Sequence, residues 1–127
     1  MDIEQEIQAK GLTAPRVTPQ NVQDAITSVC FFRGSDAFAG RPHPPELDLL
    51  TFCVLVLRNG FTVTGQSACA SPENFDAEVG MKVARADAES KVWPLLGYEL
   101  RSHLKEVDER AAANAARLAA RVDGGAA

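Results

Sequence analysis

Asn74, Phe75 and Asp76 stand together in the run SPENFD, one apolar side chain flanked by two polar ones. An Asn amide offers a donor and an acceptor to a nucleobase edge, and an Asp carboxylate accepts from an exocyclic amine or a ribose hydroxyl. Phe61 or Trp93 is able to stack on a base, a contact worth about 1–3 kcal/mol where nucleic acid is bound. Arg58, Lys82, Arg85, Lys91 and Arg101 supply cations for a phosphate. The set reads as recognition chemistry. Each member also has a plainer explanation: Phe61 and Trp93 as core residues, Lys82 and Arg85 as a solvated helix face.

Patterns for catalysis are missing. Ser67, Ser71 and Ser102 have no GxSxG elbow around them. Gly60, Gly65 and Gly80 do not compose a phosphate loop. Glu73, Asp76 and Glu78 are carboxylates at a helix start, where the macrodipole favours acids without any acid–base or metal role. Cys30, Cys53 and Cys69 are odd in number and lack CxxC spacing, so they read as free, apolar thiols. His43 and His103 have no ligand or nucleophile companion and read as surface residues. The expectation is a non-enzymatic protein with no cofactor and no metal.

The bulk properties agree with a small binding module. The chain has 127 residues, a hydrophobic fraction of 46% and a charged fraction of 24%, enough for one modest core. Net charge is −4, which argues against a polymer of nucleic acid as partner, since such binders need a basic face. No apolar run reaches the length of a membrane span. The acidic N-terminus lacks the pattern of a secretory signal, so a cytosolic protein is expected.

These residues need elements to position them. Residues 1–17 read as a loosely held arm with at most a short helix, 18–105 as a single α+β domain, and 106–127 as an Ala-rich helix and tail. Thr18-Pro19 predicts a capped helix start with Val22, Ile26 and Val29 on one face. Ser28–Phe32 predicts a first strand, and Gly34–Pro45 a loop. Asn59-Gly60 between two β-rich runs predicts a hairpin with a two-residue type I′ turn. That turn pairs Val56 with Val63 and Leu55 with Thr64. It sets Phe52, Val54, Val56, Phe61 and Val63 on one face, and Cys53, Leu55, Leu57, Thr62 and Thr64 on the other. The strand before the turn is apolar on both faces and should be central and covered on both sides. Ser71 as cap and Pro72 at the first helical position predict a helix to Val92, its inward stripe being Phe75, Val79, Val83, Ala86, Ser90 and Trp93. Pro94 should end or kink it, with another helix from Leu95. The fold class is therefore α+β, a small antiparallel sheet around the Asn-Gly hairpin, packed by C-terminal helices.

The stretch from Leu57 to Arg101, with NGFTVTG, SACASPENFD and KVWPLLGY together, resembles a phage-encoded family of uncharacterised early-region proteins. It also resembles the first described type of phage proteins directed against Thoeris defence. The likeness covers residues 47–104, with weaker similarity from Val17 to Phe38; the Ala-rich tail after Lys105 departs from it. The resemblance implies a protein of the infected bacterium's cytoplasm that binds a cyclic ADP-ribose isomer and withholds it from its effector without cleaving it. It further implies a homodimer with pockets at the dimer interface, assembly to hexamers, and binding of cyclic oligonucleotides from CBASS defence. The family's pocket stacks an aromatic on the base, and Asn74 and Asp76 match its polar pair most readily; Phe61 is taken into the expected site beside them. Arg33, Arg58, Arg85, Lys91 and Arg101 all remain candidates for the pyrophosphate. The alternative expectation is a module that binds and inhibits a host protein through the Thr-rich sheet face and the C-terminal helix.

Overall fold

The computed structural model describes residues 2–125, so the final two residues of the expected tail lie outside the described part. The described chain forms helices α1 (Ile3–Ala9) and α2 (Pro19–Ala25), strands β1 (Ile26–Arg33), β2 (Leu50–Leu57) and β3 (Thr62–Ala68), and helix α3 (Ala77–Gly125). Short 3-10 turns at Gly34–Phe38, Pro45–Leu49 and Pro72–Asn74 fill the connections. The strands make one antiparallel sheet in the order β1-β2-β3, and α3 lies across one face of β2 and β3. This is the α+β arrangement the sequence predicts.

Local chemistry explains most of the boundaries. Thr18 Oγ1 accepts from Asn21 N–H at 3.1 Å, and Asn21 Oδ1 accepts from Thr18 N–H at 2.9 Å, so α2 starts in a reciprocal cap with Pro19 next. Val22 and Ala25 then enter the core, and β1 follows with no loop between. The arm carries α1, whose Glu4 pairs with Arg16.

The hairpin forms where expected but with a different turn. Leu57 O accepts from Gly60 N–H at 2.8 Å, and Leu57 N–H donates to Phe61 O at 2.8 Å. Gly60 has φ of +86°, whereas Asn59 is not in the left-handed region. The loop therefore has three residues, Arg58, Asn59 and Gly60, a type I turn closed by a left-handed glycine. Asn59 serves through its side chain, whose Oδ1 accepts from Phe61 N–H at 3.0 Å. One added loop residue shifts the register, so Leu55 faces Val63 and Val56 faces Thr62. A one-residue shift turns every β3 side chain over. Cys53, Leu55, Leu57 and Val63 consequently share the buried face, and Phe52, Val54 and Val56 share the other with Thr62, Thr64 and Gln66. β2 is central, yet α3 covers only one side of it.

Helix α3 also departs from the expected stripe. Pro72–Asn74 is a 3-10 turn, and the α-helix begins at Ala77, where Asp76 Oδ1 accepts from Val79 N–H at 3.0 Å. The buried residues are Gly80, Ala84, Ala88, Val92 and Leu96, while Val79, Val83 and Trp93 are exposed. The reason lies across the interface. A methyl group at Gly65 would overlap the backbone of Ala84 and Ala88, so the helix sits directly on the strand. At such an approach only small side chains fit between the two backbones. Pro94 falls on the exposed side, where the carbonyl it leaves unpaired meets water, and α3 runs through it as one helix. The expected second C-terminal helix is thus the continuation of the first. No helix among the described residues is long and apolar enough to cross a membrane.

Candidate functional site

α3 packs on β2 and β3 and α2 covers the start of β1, so the inward-facing side chains at the end of β1 are left partly open. A cavity of about 290 Å³ opens there, between the end of β1 and the first turns of α3. Its walls include Phe31, Arg33, Asp36, Thr51 and Met81. Register explains the grouping: Arg33 pairs with Thr51 and Phe31 with Cys53, so alternate residues of β1 point to the helix side. Phe31 is 37% exposed.

Polar groups converge on this cavity. The Arg33 guanidinium lies 4.6 Å from the centroid of the Phe75 ring, which holds it by a cation–π contact. Asp36 Oδ2 accepts from Arg33 N–H at 2.7 Å, fixing the loop that follows the strand. Thr51 is only 3% exposed, and its Oγ1 has no hydrogen-bond partner. A methyl group at Gly80 would come within 3.0 Å of that oxygen, so the bare glycine lets α3 pass over Thr51. Buried hydroxyls are ordinarily paired, and one at a cavity wall is a place where a ligand atom completes the pairing.

The loop bounding the cavity is braced by His43. Its Nδ1 lies 3.0 Å from Arg41 O and its Nε2 3.0 Å from Asp48 Oδ1. Both partners are acceptors, which favours the imidazolium with a proton on each nitrogen. The Arg41 carbonyl and then the Asp48 carboxylate raise the His43 pKa above its ordinary value, and His43 in turn lowers that of Asp48. Burial raises the pKa of the Cys53 thiol beneath the helix.

The predicted site residues fall into separate groups. Arg33 and Phe75 meet beside the cavity, with Asn74 exposed in the adjoining 3-10 turn and Asp76 engaged as the α3 cap. Arg85 reaches from α3 to Gln23 of α2 at 3.2 Å and also binds Glu89 at 2.8 Å. Phe61 and Arg58 lie at the hairpin, lining a cavity of about 250 Å³ with Tyr98 and Glu99, and Arg58 pairs with Glu99 at 2.7 Å. Six residues of extended strand separate Thr51 from Leu57, about 20 Å. Phe61 and Asn74 therefore cannot serve one ligand within a protomer. Lys91 donates to Thr64 O at 2.7 Å on the β3 side, and Arg101 is exposed beyond the sheet. Thr51, Asp36 and Phe31 were missed by the sequence reading. A single Thr in the otherwise apolar run LTFCVLVL was the available signal.

No curated protein and no solved structure matches the chain. A family model does match over residues 17–104, more than two thirds of its length, and that span holds the whole sheet, the Arg33 cavity and the sheet-packed half of α3. The chain belongs to the phage protein (N4 Gp49/phage Sf6 gene 66) family.

Proposed function

We propose that this phage protein binds and sequesters a cyclic nucleotide signal of bacterial defence in the cytoplasm of the infected host, leaving the ligand intact. Cyclic ADP-ribose isomers are the first ligand class and CBASS cyclic oligonucleotides the second. The observation that carries the reading is the Arg33 cavity, where a guanidinium, a carboxylate and aromatic rings face one space whose wall holds the unpaired Thr51 hydroxyl. Arg33 would bind the pyrophosphate, Thr51 a ribose or phosphate oxygen, and Phe31 would offer a stacking face in the role first given to Phe61. Asn74 stands at the rim, free to read a base edge. Thr51 has no base beside it to raise its nucleophilicity, which suits binding over turnover. A cavity of this size is at the lower end for small ligands, about 300–1,000 Å³, so a cyclic dinucleotide would be enclosed only with help from a second protomer of the proposed homodimer.

Titration calorimetry against cyclic ADP-ribose isomers, cyclic di- and trinucleotides and single-stranded DNA tests this. The expected result is saturation at a fixed stoichiometry by one of the cyclic nucleotides, with unchanged ligand recovered after heat denaturation. Recovery of a cleaved product, or no heat with any of them while a host protein co-purifies, would overturn it.

A further inference from the structure

The two edges of the sheet are finished differently. In antiparallel strands successive residues turn their backbone groups alternately toward one neighbour and the other. Leu57 N–H donates to Phe61 O and Leu57 O accepts from Gly60 N–H, so Leu57, Leu55, Cys53 and Thr51 bond toward β3, and Val56, Val54 and Phe52 toward β1. On β3 this leaves the backbone groups of Thr64 and Gln66 directed away from the sheet, and α3 reaches over to satisfy them. Lys91 Nζ donates to Thr64 O at 2.7 Å, Gln66 N–H donates to Asp87 Oδ2 at 2.9 Å, and the two charged groups lie 3.7 Å apart. A strand arriving there would have to displace both. On β1 the outward residues are Val29, Phe31 and Arg33. Asp36 takes the Arg33 N–H, but the N–H and C=O of Val29 and Phe31 have no partner among the described residues.

We propose that the β1 edge receives an extended segment of a partner protein, which adds a fourth strand antiparallel to β1. Two exposed rings select a strand as the occupant. Phe31 is 37% exposed on the helix side, and Phe32 is 44% exposed on the outer side, where it stacks on Phe52. They are consecutive residues on opposite faces, so a helix or a small ligand covers one of them, whereas the side chains of a paired strand flank both. Antiparallel addition lets one residue facing Val29 and one facing Phe31 satisfy all four free backbone groups. Charge selects a partner over a second copy, because the residue across from Arg33 should be acidic. When two β1 edges pair with each other about Val29, Cys30 or Phe31, Arg33 meets Ala25, Thr27 or Val29 of the other copy and never an acid. The bulge between Ile26 and Ser28 also interrupts the edge where the first two of those pairings fall. The partner segment therefore carries an acidic residue across from Arg33, followed by apolar residues across from Phe32, Phe31 and Val29. Main-chain hydrogen bonds give such an added strand its affinity and the alternate side chains its selectivity. This goes beyond the proposed function, although Arg33 belongs to both sites, so peptide and nucleotide compete on one protomer.

Amide-resolved NMR of the full chain, without nucleotide, tests this with a blocked peptide Asp-Leu-Val-Thr-Val-Thr, written to lie across from Arg33 through Ser28. In the chain alone the Val29 and Phe31 amides should exchange freely with solvent, and on saturation with the peptide they should slow about ten-fold. Thr64 and Gln66 should not respond. N-methylation of the valine across from Val29 removes a ladder donor and should abolish binding. N-methylation of the threonine across from Cys30, whose N–H points away from β1, should leave the affinity within about two-fold. Lysine in place of the aspartate should weaken binding about five-fold. Equal affinity for the two N-methylated peptides, a lysine peptide as tight as the parent, or no binding at millimolar peptide would each overturn the proposal. So would responses confined to Thr64 and Gln66, or Val29 and Phe31 amides already protected by a second copy in the chain alone. A peptide that binds where no cyclic nucleotide does would count against the sequestering role alone.

Discussion

A threonine hydroxyl buried beneath Gly80 with no acceptor for its proton leaves the free protein carrying an unmet desolvation cost of about 1–3 kcal/mol. Thr51→Val keeps the shape and removes that cost. Urea unfolding should find the variant unchanged or up to about 1 kcal/mol more stable, while calorimetry finds nucleotide binding weakened about ten-fold. A variant both less stable and equally tight in binding would show that Thr51 serves only the core. His43 and Asp48 permit a test of the neighbouring loop. The His43 pKa is raised, so its contribution is complete below the unfolded value of about 6.5 and disappears as pH rises through the folded one. The Asp48 pKa is lowered, so its contribution is present above about 3.9 and disappears as pH falls through the folded value. Protection of the Gly34–Leu49 amides from hydrogen exchange, corrected for intrinsic rate, should therefore be greatest between about pH 4 and 6.5. His43→Gln should flatten the alkaline side of that profile.

At the scale of elements, the contact between α3 and β3 depends on Gly65 more than on any large apolar residue. Gly65→Ala forces the helix off the strand and should cost about 2–3 kcal/mol in chemical denaturation, since the atoms it strikes are backbone and cannot rotate away. Asp76 caps the same helix, and Asp76→Ala should lower stability by about 1 kcal/mol. If the same variant leaves nucleotide affinity unchanged, the Asp76 carboxylate belongs to the cap and Arg33 and Thr51 to the ligand. The capped start of α2 and the hairpin's location were legible because each rests on interactions within a few residues. The turn type was not, because Asn59 has two ways to satisfy a hairpin, through backbone or through side chain. The choice between them moved the whole of β3 by one position. The α3 stripe misleads for a related reason: by size the larger side chains read as the inward ones, whereas a glycine on the facing strand selects the small ones.

For the molecule as a whole, the composition and the turn and cap residues determined a small α+β protein with an antiparallel sheet, because those signals are local and need no knowledge of what packs against them. They also marked Arg33, Asn74 and Asp76 as neighbours in kind, if not in role. Only the tertiary structure decided which of the candidate residues can meet. The length of β2 holds Phe61 and Arg58 about 20 Å from Arg33, and no periodicity along the chain encodes that separation. The open end of β1 beside Phe31 and Arg33 likewise arises from where α3 settles, which Gly65 and the two alanines above it dictate.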